Sequence, residues 1–426
     1  MFLKHKLTPK LVSSMLLVLG TVPAMAQGGN GENQVMGATD VSAVRKIGRL
    51  HRRIKWGSRR EELNRDLTGA YSDYLRFKSE TKKDIGLSWS MPVSYLQQWG
   101  LPDGGWSAGQ ILATPGLDWE IFPSDTFGTG SLQASYTLVQ YPWQQTAADI
   151  ADNLGIITQI NDYPGNGEDS FDQLTYTQAF PGNKLLLTIG QFPFYNFDDN
   201  QYLADQQQNF DSLLFTQNGS STYPIAGLGA YAQVNVTSTI QLAAGFQNAT
   251  DIAGTNLSSD GLSSQNFAWF GYAQWTPKFH GLGDAQYSIT YYDVPAVPEQ
   301  PISSTGWSFN AVQNLNDTWA VFGRANGSWG YQTSIRNSYV IGGAMNNPLG
   351  RSKMDQIGLT IGYAMVTDPP TSQPDTGNET VVEAYWNWEF FGEFLITPDV
   401  QYISNPSGDA EHGSVWALSL RATLMF

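Results

Sequence analysis

The chain has no cysteine among its 426 residues, so no disulfide bond can stabilise it. Small exported domains commonly depend on disulfides, so an exported chain of this composition must be held by packing and backbone hydrogen bonds. Charged residues are also scarce, at 14%, whereas aromatic residues reach 13% and glycine numbers 43. This profile suits an all-β protein with an extensive apolar face and glycine-rich turns.

Histidine is almost absent, with four residues in the whole chain, and this limits the catalytic sites that the sequence can build. There is no HExxH motif and no P-loop. Gly227-Leu228-Gly229 resembles part of a dinucleotide-binding loop, but it lies inside a segment of two-residue periodicity that no helix follows. We therefore expect no enzyme activity, no cofactor and no metal. A secreted all-β carbohydrate-binding protein or hydrolase remains the alternative from another class.

Long apolar runs are also missing. Lys4, Lys6 and Lys10 precede an apolar stretch from Leu11 to Val22, and Ala24-Met25-Ala26 forms a small-residue cleavage site. These features predict a cleaved signal peptide over residues 1–26. No later stretch approaches the ~18 apolar residues of a membrane-spanning helix, so only a closed barrel could span a bilayer.

Basic residues are scarce in most of the chain and concentrated in one segment. Thirteen lysines and arginines lie between Arg45 and Lys83, whereas residues 84–426 hold seven against thirty-one acidic residues. We therefore divide the chain into a leader and basic helical periplasmic arm over 27–83 and a β-barrel over 84–426. The acidic body argues against nucleic acid as a partner, because phosphates would be repelled.

The basic arm has two helical patterns. The first extends from Val41 to about Lys55, and the second begins at Ser58, where Glu61 completes a capping box. We expect the second helix to pack on the barrel or on its partner helix. The alternatives are a short oligomerising coiled coil and contact of the basic face with a membrane surface or the cell wall. The apolar seam of the second helix consists of Leu63, Leu67, Ala70, Tyr74 and Phe77.

From about residue 84 the apolar pattern has a period of two. Apolar residues recur at every second position from Val382 to Phe390, while Glu383 and Glu389 lie on the opposite face. We count sixteen to eighteen such segments, separated alternately by short turns and long polar loops, which is typical of transmembrane antiparallel β-barrels of about 16 strands. A soluble β-sandwich gives the same alternation and is the alternative interpretation. The long loops cover roughly 193–226, 248–265, 293–304 and 367–379.

The last strand supports the barrel interpretation. Trp416, Leu418, Leu420, Ala422, Leu424 and Phe426 share one face of the segment that ends the chain. An aromatic terminal residue with Trp416 about one membrane thickness away fits a closing strand with aromatics at both interfaces. We therefore interpret Phe426, Leu424 and Trp416 as a signal for the barrel-assembly machinery.

The second half of the chain resembles the carbohydrate-selective porin family (OprB type) of Gram-negative outer membranes. The matching segments are GWSFNAVQNLNDTWAVFGRANGS at 306–328, IGGAMNNPLGRSKMDQIGLTIGYA at 341–364 and ETVVEAYWNWEFFGEFLITPDVQYISNP at 379–406. LTIGQFPFYNFDDNQYLADQQQNF at 187–210 is similar to that family's strand and Phe-Asp-Asn loop. The resemblance implies a monomeric sixteen-stranded barrel in the outer-membrane lipid that passes small carbohydrate solutes by diffusion; a trimer stays open. A general porin or an exopolysaccharide exporter is the alternative.

A sugar channel needs aromatic faces for the sugar rings and polar groups for the hydroxyls. We expect Arg324 to point into the lumen, where a rare basic residue would dominate the local field. Asp169 and Asp172 could bind Ca²⁺ weakly, although their spacing matches no defined ligand loop. The remaining candidates for pore lining or solute binding are Arg351, Lys353, Asp355, Trp119, Glu120, Asp198, Asp199, Glu383 and Glu389.

Overall fold

The computed structural model describes residues 65–102, 106–124, 126–252, 257, 259, 263, 265–331, 333–367, 377–391, 393–408 and 413–425. The predicted signal peptide, the leader, the first arm helix and Phe426 therefore lie outside the described residues.

The described residues form three α-helices and eighteen strand segments. The helices are α1 (Arg65–Ile85), α2 (Ala147–Leu154) and α3 (Leu213–Thr216), with short 3₁₀ turns at Pro181–Asn183 and Phe194–Phe197. The strands are β1 (Leu87–Ser90), β2 (Pro92–Leu101), β3 (Ser107–Ala113), β4 (Gly116–Ser124), β5 (Gly128–Gln140), β6 (Ser170–Ala179), β7 (Leu185–Pro193), β8 (Ala226–Asn235), β9 (Ile240–Asn248), β10 (Phe267–Trp275), β11 (Ala285–Val294), β12 (Ser304–Asn314), β13 (Trp319–Gly330), β14 (Ile335–Asn346), β15 (Gln356–Val366), β16 (Glu379–Phe391), β17 (Phe394–Ser404) and β18 (Ser414–Met425).

The strands close into a single antiparallel barrel. From β5 onward each strand pairs with the next along the chain, and β18 pairs with β2 through a register from Trp416 opposite Leu101 to Met425 opposite Pro92. The first strand of the barrel wall is divided into β1 and β2. The second is divided at Thr114-Pro115 into β3 and β4, and both of these segments pair with β5. The eighteen segments therefore make a closed sixteen-stranded barrel, which confirms the predicted fold class.

The two faces of the strands divide as the periodicity predicts. On β18, Trp416, Leu418 and Leu420 are 46%, 39% and 45% exposed on the outer face, whereas Arg421 and Thr423 are fully buried inside. Trp269 and Trp275 lie near opposite ends of β10 on the outer surface. The apolar outer band with aromatic residues at both ends is the surface that a bilayer requires.

The connections also alternate as predicted. One mouth of the barrel has mostly short turns, such as residues 236–239, and the other has long connections at 141–169 and 194–225. In outer-membrane barrels the short turns are periplasmic. Within the described parts of the chain, no helix is both long and apolar enough to cross a membrane.

Helix α1 packs at the mouth with the short turns. The rings of Tyr74 and Phe77 lie 6.5 and 5.7 Å from that of Trp89 on β1. The Trp89 indole N–H donates to the Tyr74 hydroxyl at 3.1 Å. The predicted second helix of the arm is thus present and contacts the barrel through the C-terminal part of its apolar seam; Ser58 and Leu63 lie outside the described residues.

Candidate functional site in the barrel lumen

The connection between β7 and β8, residues 194–225, folds into the barrel; we call it the inner loop. Near its start, the Asn200 side-chain amide donates to the carbonyl of Gly323 on β13 at 3.3 Å. The Tyr202 hydroxyl donates to the Asn314 side chain, at the end of β12, at 2.6 Å. These bonds hold the first half of the loop against the wall formed by β12 and β13.

The second half of the inner loop reaches the opposite wall. Gln207 donates to the Leu112 carbonyl on β3 at 3.1 Å and accepts from Thr423 on β18 through its own carbonyl at 2.8 Å. The Asp211 backbone N–H donates to the Glu383 carboxylate on β16. The loop therefore crosses the lumen, and several of its polar groups bond the wall.

A second connection also folds inward: residues 141–169, between β5 and β6, which we call the inner segment. It contains α2, whose first turn is held by a capping box between Thr146 and Asp149. Asn161 donates to the Gln98 side chain on β2 at 2.8 Å. The Glu379 carboxylate accepts the backbone N–H groups of Ile157 and Thr158, both at 2.8 Å. The sequence analysis did not predict this inward-folded segment.

The inner loop and the inner segment bind each other. Gln206 donates to Asn161 at 3.1 Å, and the Thr216 hydroxyl donates to the Asp162 carboxylate at 2.8 Å. Burial raises the pKa of Asp162 to about 7. Hydrogen bonds from Thr216 and Gln217 lower this pKa, but the effect of burial is larger. The Asp162 carboxyl group therefore titrates near neutral pH at the contact between the two inward-folded connections.

An aromatic cluster fills the side of the lumen next to β7–β11. Phe194 stacks on Tyr223 with ring centroids 4.4 Å apart, and it meets Phe270 at 5.1 Å and Tyr292 at 5.7 Å. All four side chains are buried. Such a cluster stabilises the start and end of the inner loop by apolar burial and by edge-to-face ring contacts.

With both connections folded in, polar side chains on the inner wall have little contact with solvent. Gln98, Gln110, Gln133, Asn310 and Asn326 are each no more than 2% exposed. These amide groups therefore contact other protein groups in the filled part of the lumen. A sixteen-stranded barrel without such insertions would enclose a wide aqueous channel.

Arg324 on β13 lies on the inner face, as the sequence predicts, but the inner loop covers it. It is 2% exposed. It donates to the Asn310 side chain at 3.0 Å and to the carbonyls of Gln217, Phe215 and Asp198 at 2.6, 3.2 and 3.3 Å. Its direct contacts are therefore with protein groups, most of them in the inner loop.

Asp198 lies beside Arg324, with its carboxylate 3.9 Å from the arginine Nε, and it accepts from Asn310 at 2.6 Å and from Ser308. The neighbouring Asp199 is half-buried in the same loop. Glu383 is fully buried where the loop meets β16. The structure thus brings these three predicted residues and Arg324 into contact with the inner loop or its wall.

The predicted charged group at 351–355 lies elsewhere, in the turn between β14 and β15 at the short-turn mouth. Arg351 pairs with Asp355, bonds the Glu389 carbonyl and lies 4.1 Å from the Trp388 ring centroid. Lys353 is exposed in the same turn. This group belongs to the rim of the channel, far along the strands from Arg324.

Trp119 does not line the pore. It pairs with Leu132 on the outer face of β4 and β5, is 41% exposed, and donates to the Ile85 carbonyl at 2.9 Å. Glu120 occupies the opposite, inner face, where it pairs with Ser131. Adjacent residues of a strand point to opposite faces, so the sequence grouping of Trp119 with Glu120 as pore candidates was wrong for Trp119.

The remaining predicted positions are the assembly-signal residues of β18 and the two aspartates at 169 and 172. Trp416 and Leu424 lie on the outer face of β18, and Phe426 lies outside the described residues. Asp169 accepts from the Val139 backbone and Asp172 from the Thr137 hydroxyl, both at 2.7 Å. These two carboxylates therefore tie the inner segment and β6 to β5.

Sequence reasoning missed an ion pair between Arg421 on β18 and Asp211 in the inner loop. Both side chains are fully buried. The two-residue period places Arg421 on the inner face of the closing strand, but nothing in the sequence identifies Asp211, 210 residues earlier, as its partner.

A closed barrel with an apolar outer band, long loops at one mouth and a polar, loop-narrowed lumen defines an outer-membrane channel of the porin class. The chain matches the family model for carbohydrate-selective porins, the OprB family, over residues 144–426. It belongs to that family, and its location is the outer membrane.

Relatives and solved structures agree with this assignment. The chain is 34% identical over 350 residues to Porin AaxA of Chlamydia abortus, covering 80% of this chain and 78% of the relative. It is 36% identical over 345 residues to Porin AaxA of Chlamydia pneumoniae, covering 79% and 78%. The high-pH structure of Pseudomonas putida OprB superposes with a TM-score of 0.67 at 16% identity, covering 83% of this chain and 97% of that one. The structural likeness supports the fold.

Proposed function

We propose that this porin passes sugars and similar small polar solutes by passive diffusion, without covalent chemistry. The observation that carries the proposal is the density of amide and hydroxyl groups where the two inward-folded connections meet. Gln110 there bonds the Tyr141 hydroxyl at 3.1 Å, Asn161 at 3.0 Å and Gln206 at 2.8 Å. Groups of this kind exchange hydrogen bonds with sugar hydroxyls at little net energetic cost, and weak binding suits conduction.

The description of the family as carbohydrate-selective supports the same solute class. The two inward-folded connections leave less room than an open sixteen-stranded barrel would have, which supports selection by size. A general porin would lack such discrimination. An exporter of anionic polymer is disfavoured, because the described residues include ten buried carboxylates and two buried arginines.

Liposome swelling tests the proposal. Vesicles containing the purified protein should swell in isotonic monosaccharide at a rate that falls steeply for disaccharides and trisaccharides, and protein-free vesicles give the baseline. Uptake of a labelled sugar should saturate with concentration. Swelling independent of solute size with linear uptake would support a general porin instead.

We also propose that residues 1–26 are a signal peptide and 27–83 a basic arm at the periplasmic mouth. Support comes from α1, whose last turn carries Lys82 and Lys83 beside β1 at the short-turn end of the barrel. An arm in that position could contact the anionic cell wall. Cosedimentation of the full chain with purified peptidoglycan, compared with a variant lacking residues 41–60, tests this contact.

We further propose that the barrel acts as a monomer.

A further inference from the structure

Three carboxylates converge where the inner loop meets the wall on the far side of the lumen. Glu383 and Asp399 project inward from β16 and β17, on neighbouring strands whose register places Glu383 opposite Gln401 and Tyr385 opposite Asp399. Asp211 approaches from the inner loop. One oxygen from each of the three carboxylates lies within 4.8 Å of the other two, and all three residues are buried.

The hydrogen bonding around this cluster is incomplete. Glu383 accepts the backbone N–H groups of Asp211 and Ser212, the second at 3.1 Å. Among the residues that the structure describes, none donates to either carboxylate oxygen of Asp399, which is 6% exposed, or to the second oxygen of Asp211. Asp399 and Glu383 can bond each other only by sharing a proton. Buried carboxylate oxygens without a donor carry a desolvation penalty that some other positive group must offset.

The negative charge of the cluster is also only partly neutralised. Arg421 on β18 pairs with Asp211 and donates to the Asn209 carbonyl at 2.9 Å. One arginine against three carboxylates leaves a net charge of about −2 if all three are ionised, which a divalent cation would neutralise. Gln401, the next inward residue on β17, adds a buried side-chain oxygen that accepts no hydrogen bond from the described part of the chain.

The geometry and the donor set fit calcium. Two oxygens bound to one Ca²⁺ at ~2.4 Å can be no more than ~4.8 Å apart. The donors are all oxygens, which disfavours zinc. Mg²⁺ releases its water reluctantly and so suits a dry, carboxylate-rich pocket less well.

We propose that Asp211, Glu383 and Asp399 bind one Ca²⁺ ion, which fastens the inner loop to the barrel wall. The ion bridges a ligand from the loop and ligands from two strands, so it fixes the loop without contacting solute directly. This site does not depend on which solute the porin passes.

Calcium binding to the full-length protein in detergent tests the site. Protein treated with chelator and dialysed should bind one Ca²⁺ per chain in equilibrium dialysis with ⁴⁵Ca²⁺. Elemental analysis of untreated protein should detect bound calcium, at no more than one ion per chain. Asp399→Asn should weaken binding by about tenfold or more, because affinity depends on the number of charged ligands. Asp205→Asn is the matched control: Asp205 is a buried carboxylate of the same loop outside the cluster.

Folding of each variant is checked by heat-modifiable migration on gels, and Glu383→Gln replaces Asp399→Asn if the latter fails to fold. No calcium in the untreated protein together with no saturable binding after chelation overturns the proposal and leaves a proton shared between the carboxyl groups as the neutralising species. Equal binding by wild type and the folded cluster variant overturns it as well.

Discussion

Replacing Arg324 by alanine should loosen the inner loop while leaving the barrel closed. The guanidinium donates to the carbonyls of Phe215, Gln217 and Asp198 and pairs with the Asp198 carboxylate at 3.9 Å. Its removal leaves a buried negative charge and loop carbonyls without this donor. Breaking a buried pair by removing one partner costs about 3–5 kcal/mol.

The barrel itself should survive this change, because the pairing of β13 with β12 and β14 involves the backbone. The substitution therefore weakens mainly the interaction between the inner loop and the barrel wall. A loss of about 3 kcal/mol raises the population of loop conformations detached from the wall by about 100-fold. We expect a larger single-channel conductance and more frequent current fluctuations than in the wild type.

The assay is single-channel recording in planar bilayers, with Arg336→Ala as the matched control. Arg336 is the exposed arginine at the start of the neighbouring strand β14, so its loss should change neither conductance nor noise. Arg324→Lys should give an intermediate result, since lysine keeps the charge but not the forked donors. Wild-type conductance, noise and sugar response in Arg324→Ala would refute the reasoning.

The channel should prefer K⁺ over Cl⁻ in reversal-potential measurements, because ten buried carboxylates face two buried arginines in the described residues; anion preference would contradict this. Burial raises the pKa of Asp162 to about 7, so the folded state binds this proton more tightly than the unfolded chain. The stabilisation conferred by the protonated form is therefore lost as pH rises from about 4 through about 7. Hydrogen-exchange protection of residues 156–163, corrected for intrinsic rates, should be lower at pH ~8 than at pH ~5.5, and Asp162→Asn should abolish the difference; greater protection at the higher pH would be inconsistent. Leu418→Arg should cost about 2–4 kcal/mol of folding stability in lipid vesicles, because Leu418 is 39% exposed on the outer face in the middle of β18. Ser238→Arg, at an exposed position of the 236–239 turn, is the control. Equal stabilities of the two variants would argue against lipid contact at Leu418.

The sequence predicted the barrel wall well because one physical rule governs it. A strand between lipid and lumen must alternate apolar and polar side chains, and β16 shows this with Trp386 outside and Glu383 inside. The long connections could be located because turn residues interrupt the period. The family resemblance supplied the count of sixteen strands, and the register then explained why eighteen segments are visible.

The contents of the lumen were much harder to predict. The inner loop is rich in Asn, Gln and Asp, a composition typical of solvated loops, yet several of these side chains bond the wall, as Gln207 does with the Leu112 carbonyl at 3.1 Å. The inner segment left one local signal, the Thr146-x-x-Asp149 capping pattern before the apolar positions of α2. Its burial could not be inferred from that signal.

Contacts between residues distant in sequence could not be predicted at all. Arg421 and Asp211 are 210 positions apart, and only the closed barrel brings the strand and the loop together. The same limit applies to Glu383 and Asp211, of which the sequence identified only the former. The error at Trp119 has a different origin, since sequence adjacency was allowed to outweigh the alternation of faces along a strand.

Single-channel conductance with sugar titration tests the central claim most directly. Purified protein in a planar bilayer should form small, discrete channels, because the inner loop and inner segment narrow the lumen. Their current should fall saturably as glucose or another sugar is added, since a bound sugar would obstruct the narrowed lumen. Large channels whose current is indifferent to every sugar would contradict the account, as would a folded protein that forms no channels.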